Sequence, residues 1–363
     1  MNLKVGIVGL PNVGKSTLFN ALLKKQVAYA ANYPFATIEP NVGVVEVPDS
    51  RLPKLAEIVK TDKIVPAAVE FYDIAGLVRG AHEGEGLGNK FLSHIREVSA
   101  IVHVVRLFEG GDVIHVSTTP NPQDDIAIID EELIFADLDT LGKQREPKGK
   151  IEKEEKFAWD TVQKVKSELN QGVLVKDQKT TSDELEVLTP LNLLTIKPQI
   201  IVFNVSEEQL ADKKSTSEKI QKILSDAGRR DQYVALCIKL ENDMLELSEQ
   251  DQREYLSAFD LTETGMERLI KSAYVALNLV SFLTAGVIEA RAWTIVRGTD
   301  AQHAAGAIHT DFIKHFVKAD IVSYEDFVKS NGWTGAREAG RVQSVGRDHI
   351  MQDGDVVDFK INA

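Results

Sequence analysis

One cysteine, Cys237, is all that the 363 residues contain, which excludes an intrachain disulfide and any Cys-rich zinc site. No apolar run reaches the roughly 18 residues that a membrane helix needs, so no membrane partner is expected. The opening stretch, residues 1–9, lacks the charged head and small-residue cleavage site of a secretory signal, and the expected location is the cytoplasm. Positive charge is scarce too. The chain carries 42 Lys+Arg against 55 Asp+Glu, a net −13. That excludes a uniformly basic nucleic-acid coat but leaves room for a local basic patch. Internal repeats and low-complexity tails are missing as well.

What the chain does have is alternation. Residues 3–10, 67–77 and 100–108 are short, almost wholly apolar runs bounded by turn residues, the signature of buried strands in a parallel sheet. Between the first two, residues 16–25 place Leu18, Ala21 and Leu22 on one helical face. Strand, Gly-rich turn, helix and strand predict a doubly wound α/β domain. Pro120 and Pro122 then punctuate the chain, and Ile126, Ile129, Leu133 and Leu141 recur at helical spacing. A second helical stretch carries Ile151, Ala158, Val162, Val165 and Leu169, after a basic connector over residues 143–150. From Lys143 to Lys179 there are ten Lys+Arg and seven Asp+Glu, a locally positive segment in an acidic chain. This predicts an inserted antiparallel α-helical hairpin with a positive tip at Arg145, Lys148 and Lys150. Strand signals return at residues 198–205 and 233–238, with a closing helix over 269–279.

The last stretch reads as a small α+β module. Strands are expected at residues 286–296 and 355–361, with a helix-like run over 302–316 between them. Asp353-Gly354, a hairpin-type pair, leads into the last strand. The expected division is a nucleotide-binding domain over 1–122 and 197–278, the hairpin over 123–196, and a C-terminal domain over 279–363.

Chemistry concentrates at the first turn. Gly9-Leu10-Pro11-Asn12-Val13-Gly14-Lys15-Ser16 matches the phosphate-loop pattern G-x-x-x-x-G-K-[ST]. Glycines let the backbone wrap a phosphate, and a helix N-terminus offers unpaired N–H donors. Lys15 neutralises the β/γ oxygens, and the Ser16 hydroxyl binds Mg²⁺. Asn12, Val13, Gly14, Lys15, Ser16 and Thr17 form the nucleotide-binding run. Asp73-Ile74-Ala75-Gly76 at a later strand end places a carboxylate on the Mg²⁺ water shell and the Gly76 N–H against a γ-phosphate. Thr37 stands where the first switch segment of such enzymes puts its Mg²⁺-binding threonine.

Base choice is read from Asn204-Val205-Ser206-Glu207. Guanine-selective relatives have N-K-x-D there, with the aspartate accepting from guanine N1–H and its 2-amino group. Val205 replaces the lysine and the longer Glu207 replaces the aspartate, so guanine loses a charged bidentate contact. Two readings of Glu207 stand: it faces the base, or it caps the helix that follows.

Together, Gly9–Thr17, Asn32-Tyr33-Pro34-Phe35, Asp73–Val78, Gly84–Asn89 and Asn204–Glu207 resemble the YchF/Obg-like ATPases. The stretches Arg291–Thr294, Ile308–Phe312 and Gln352–Asp355 resemble that family's TGS module, so the likeness covers essentially the whole chain. The resemblance implies a P-loop fold with an inserted α-hairpin and a C-terminal β-grasp (TGS) domain. It further implies a monomeric ATPase with Mg²⁺, preferring ATP over GTP and binding the ribosome as large subunit and 70S particle. The positive tip is compatible with rRNA phosphates. The turn near Cys237 departs from the family pattern, with Ile238-Lys239 in place of smaller residues.

Leu77 occupies the place where Ras-like enzymes hold a water-orienting Gln, so hydrolysis is expected to be slow or to recruit another group. His115 aligns with the histidine that the family uses for stimulated turnover; His82 is the weaker candidate, and His103, inside a strand, reads as core. Asn12 points to K⁺ beside the phosphates. Two other functions remain open on sequence: a GTP-selective switch, and a non-catalytic nucleotide-gated adaptor.

Overall fold

Continuous burial marks the middle of the first sheet. In the computed structural model, which describes residues 3–32, 41–74, 87–108, 121–149 and 152–362, the chain forms two units: Met1–Val44 with Glu70–Leu269, and Val45–Val69 with Ile270–Ala363.

The strands up to residue 236 are β1 (Lys4–Val8), β2 (Val42–Glu46), β3 (Ile64–Val65), β4 (Ala68–Asp73), β5 (Ala100–Arg106), β6 (Gln199–Asn204) and β7 (Gln232–Leu236). Six of them form a sheet in the order β2-β4-β1-β5-β6-β7, with parallel pairing from β4 through β7. Every residue of β5 and β6 is buried, because helices cover both faces of a central parallel strand. β4 alternates buried and half-buried positions instead. The helices begin with α1 (Lys15–Asn32), α2 (Arg51–Val59), α3 (Leu87–Glu97), α4 (Pro122–Gly142) and α5 (Lys153–Leu169). They are followed by α6 (Ser182–Leu188), α7 (Glu207–Ala211), α8 (Lys213–Asp226), α9 (Ile238–Met244), α10 (Glu249–Ala258) and α11 (Gly265–Ala276).

The expected hairpin is α4 and α5. Asn121 starts α4 by accepting from the Gln123 N–H, with Pro122 at the first helical position and Asp124 and Asp125 in the first turn. Ile134, Leu141, Val162, Val165 and Leu169 pack with Leu174, Val175, Leu188 and Leu193 into a core belonging to the hairpin alone. A second core, on β5 and β6, joins Val105, Ile201 and Phe203 to Ile126 of α4 and Leu224 of α8. The base of the hairpin is thus buried in the α/β domain. Arg145 and Lys148 are exposed in the connector, and Lys150 lies outside the described residues. Among the described residues no helix is long and apolar enough to cross a membrane.

The second unit holds β8 (Leu279–Ala285), β9 (Ala290–Val296), β10 (Phe316–Ser323), β11 (Gln343–Val345) and β12 (Asp355–Ile361). Their order is β11-β10-β12-β8-β9-β3, with β8 and β12 parallel between antiparallel hairpin partners, the β-grasp arrangement. Several local expectations shift here. The helix before β8 stops at Ala276 because Asn278 takes a left-handed φ of 55°, and an unforeseen strand starts at Leu279. The expected strand over 286–296 is the returning β9, and residues 302–316 contain two five-residue helices, Ala301–Ala305 and Asp311–His315. Asp353-Gly354 enters β12 but joins no hairpin: the Asp353 carboxylate accepts from Ser281 N–H at 2.9 Å and from Arg51 at 2.8 Å.

Candidate nucleotide-binding site

Between β1 and α1 the chain turns through backbone angles that only special residues tolerate. Gly9 has φ 149°, Asn12 has φ 63° and Gly14 has φ 108°. Each glycine is also crowded. A Cβ on Gly9 would sit 2.4 Å from the Val104 carbonyl of β5, and one on Gly14 would sit 2.8 Å from Asn204 Nδ2. The loop is pressed between the ends of β5 and β6, the carboxyl edge of an open α/β sheet where ligands bind.

Asn204 holds this arrangement with both ends of its amide. Its Nδ2 donates to the Val13 carbonyl at 3.0 Å, and its Oδ1 accepts from the Ile238 N–H at 3.2 Å. One side chain therefore fixes the phosphate loop to the turn that follows β7. Neighbouring Val205 is buried and donates its N–H to the Leu236 carbonyl.

Lys15 lies 7% exposed, and its Nζ donates to the Leu10 carbonyl at 2.6 Å, across its own loop. Burial pulls its pKa down to about 8, against the pull of Asp73, which favours the ammonium. Asp73, at the end of β4, is raised by burial in turn, with Lys15 opposing. Ser16 and Thr17 are exposed at the start of α1. A hydroxyl, a carboxylate incompletely compensated by one lysine, and the loop backbone make a hard oxygen set, and these residues fit Mg²⁺. The sequence thus names Lys15, Asp73, Val13, Gly14 and Asn204, and the fold draws them together. Thr37, Gly76, Leu77, His82 and His115 lie outside the described residues.

At the base end, Ser206 rather than Glu207 caps α7. Its Oγ accepts from Gln209 N–H at 3.2 Å, and Gln209 Oε1 accepts from Ser206 N–H at 3.0 Å. Glu207 is exposed and stands 3.8 Å from Lys239 Nζ. Glu241 escapes sequence reasoning entirely. Buried in α9, its carboxylate accepts from Gly265 N–H at 2.6 Å and Met266 N–H at 3.1 Å, anchoring the base-side turn to the start of α11. Only a tertiary approach of two helices could reveal it. His103 is fully buried, as a core residue should be, and its imidazole is pushed down to about 3 by burial and by the charges of Arg229 and Lys15.

The chain is similar to known proteins. Residues 4–134 fit a family described as 50S ribosome-binding GTPase, and residues 279–362 fit the YchF GTPase C-terminal family, described as a protein of unknown function. Over the full length of both chains the sequence is 46% identical to the ribosome-binding ATPase YchF of Haemophilus influenzae and 45% identical to that of Bacillus subtilis. The structure of the Schizosaccharomyces pombe YchF GTPase aligns with a TM-score of 0.89 and 36% identity, covering 99% of this chain and 98% of that one. With relatives this similar along their whole length, the chain belongs to the YchF family.

Proposed function

We propose that this protein is a ribosome-binding ATPase that binds and slowly hydrolyses ATP with Mg²⁺, a nucleotide-dependent switch linked to translation. The observation that carries the reading is the Asn204 clamp. It ties the phosphate loop to a base-side turn whose strand end, Val205-Ser206-Glu207, lacks the lysine and aspartate that guanine needs. With Ser206 supplying the cap, the Glu207 carboxylate is left at the rim of the base site. Its longer arm does not reproduce the aspartate contact, and adenine is favoured.

In the reaction, Lys15 moves from the Leu10 carbonyl to the β/γ oxygens of the incoming triphosphate, an exchange that holds its ammonium charge more firmly. The N–H groups at the start of α1 and along Val13–Thr17 receive the remaining phosphate oxygens. Ser16, Thr37 and Asp73 would hold Mg²⁺, which neutralises charge developing on the transferred phosphoryl group. Gly76 N–H would donate to the γ-phosphate, and Asn12 would help hold K⁺. Leu77 cannot orient water, so unstimulated turnover is slow, and His115 is the group recruited for stimulated turnover. The hairpin connector (Arg145, Lys148, Lys150) is the surface offered to rRNA phosphate on the large subunit or the 70S ribosome. The functional partition is 1–122 with 197–278 for nucleotide, 123–196 for the hairpin and 279–363 for the TGS domain, in a monomeric cytoplasmic protein.

A second reading, GTP selectivity, is favoured by the names of the matched family and of the yeast structure, both of which say GTPase. Competition binding separates the two: ATP should displace a bound fluorescent nucleotide at lower concentration than GTP, and the reverse order defeats the adenine assignment. Single-turnover hydrolysis with and without ribosomes tests the enzyme. Phosphate release no faster than the uncatalysed rate in both conditions would leave a non-catalytic adaptor. His115→Ala should keep ATP affinity and lose the ribosomal stimulation.

A further inference from the structure

The Asp73 end of β4 is connected to the hairpin by packed and hydrogen-bonded groups that the nucleotide chemistry does not use. Ile74, next to Asp73, is 1% exposed, and its N–H donates to the Ile7 carbonyl at 3.2 Å. Its side chain lies over Gly6 together with Val98: a Cβ there would meet Ile74 Cδ1 at 2.5 Å and Val98 Cγ2 at 3.0 Å. Val98 follows α3, and its carbonyl accepts from Lys197 Nζ. The same ammonium donates to the Ile95 and Arg96 carbonyls, each at 2.9 Å. The open carbonyl end of α3 is therefore closed by one buried cation from the chain that returns from the hairpin.

Arg96 makes the next link. It donates to the Asn192 carbonyl and to Thr140 Oγ1 of α4, both at 3.2 Å. Nearby, the Asp137 carboxylate of α4 accepts from Leu194 N–H and Thr195 N–H at 2.8 Å and from Thr195 Oγ1 at 2.7 Å. These bonds weld the returning chain to α4, so that whatever displaces Lys197 or Arg96 pulls on the helix. Lower on α4, Asp130 is gripped by Arg229, whose other nitrogens hold Asp231 at 2.6 Å and Gln199 at 2.7 Å. Thr140 is ten residues beyond Asp130, about 15 Å along the helix axis. Asp130 is thus bonded at the α/β end of the helix, and Thr140 lies close to the hairpin tip.

We propose that Lys197 and Arg96 are positioning residues that relay the di- or triphosphate state sensed at Asp73 to the tilt of the helical hairpin. The relay rests on the nucleotide-switch reading above. A shift of Asp73 displaces Ile74 against Val98. The carbonyl end of α3 moves with Val98, and Lys197 and Arg96 carry that movement into Asn192 and Thr140. Because close-packed groups transmit displacement rather than absorb it, a movement of 1–2 Å, the ~1–2 Å of ordinary helix shifts, reaches the tip.

The test uses the full-length chain with spin labels at Lys148→Cys on the connector and Lys219→Cys on α8; Cys237 is buried and stays unlabelled. Distances are measured with Mg²⁺ and ADP, then with Mg²⁺ and a non-hydrolysable ATP analogue, while affinities are titrated on the same samples. The expected result is a shift of about 2 Å between the two states. In Arg96→Ala, whose side chain is only half-buried, the shift should vanish with both affinities kept within twofold. Lys197→Met should do the same, and if it does not fold, Arg96→Ala decides alone. An unshifted distance with both nucleotides bound overturns the relay and leaves the ATPase reading standing. So does a full shift in Arg96→Ala. Failure of either nucleotide to bind overturns the relay and the ATPase reading together.

Discussion

Among the described residues of the first unit, Lys15 and Lys197 are buried lysines, and burial pulls both down to about 8. Lys15 satisfies one carbonyl, Leu10, while Lys197 satisfies three, those of Ile95, Arg96 and Val98. An ammonium has three donors. Lys197 therefore spends its full donor set on the protein, whereas Lys15 holds donors in reserve beside an acidic partner, Asp73. The difference teaches how to tell a lysine that can still take a ligand from one that is purely structural. A depressed pKa reports burial in both, and only the count of acceptors distinguishes the group that awaits a ligand from the group that has its ligands already.

Removing each lysine should break the comparison in opposite ways. Lys15→Ala should lower ATP turnover by about 10²- to 10³-fold, the usual cost of losing a donor aimed at developing negative charge. The urea midpoint should hardly move, and steady-state phosphate release measures the loss. Lys197→Met should do the reverse. Three carbonyls at the end of α3 lose their donor, costing about 2–4 kcal/mol of folding stability, while ATP affinity stays within twofold. Urea denaturation followed by circular dichroism reads the first effect and calorimetry the second.

The pH dependence sharpens the contrast further. On the proposed function a triphosphate pairs with the ammonium form of Lys15, whose pKa burial pulls down to about 8 in the free protein. ATP affinity should therefore fall above pH 8, by up to about tenfold per pH unit, and binding there should take up a proton. Calorimetry in two buffers of different ionisation heat measures that uptake. Stability follows the opposite sign. Both folded-state values lie below the ordinary 10.5, so each lysine contributes stability above pH 10.5 that is lost as the pH falls through 8. Lys197→Met should flatten that part of the stability profile. The smallest effect belongs to Lys239→Ala. Its pairing with Glu207 spans 3.8 Å with side chains 78% and 47% exposed. Losing it should change stability by less than about 0.5 kcal/mol, measurable as an almost unmoved urea midpoint.

Much of the fold could be read from order and pattern. The runs that became β1, β5 and β6 are mostly apolar because both their faces are covered, and that leaves a trace in the residues themselves. The hairpin was equally legible, since Asn121, Pro122 and the acids after them mark the start of α4. The phosphate loop was legible residue by residue, because wrapping a phosphate demands glycine and lysine at fixed spacing. Glu241 and Lys197 left no such trace. Their partners lie 24 and about 100 positions away, and a carboxylate or ammonium on a helix or strand looks the same in sequence whether it faces water or a helix end.

Local chemistry, then, determined the strand–loop–helix at Gly9–Ser16 and the hairpin, because each depends on neighbours along the chain. Tertiary structure alone decided that β3 pairs with β9, that Asn204 joins Val13 to Ile238, and that Lys197 closes α3. Those bonds form between groups distant in sequence. Their energy comes from burial and saturation of polar atoms, quantities that exist only once the chain has folded.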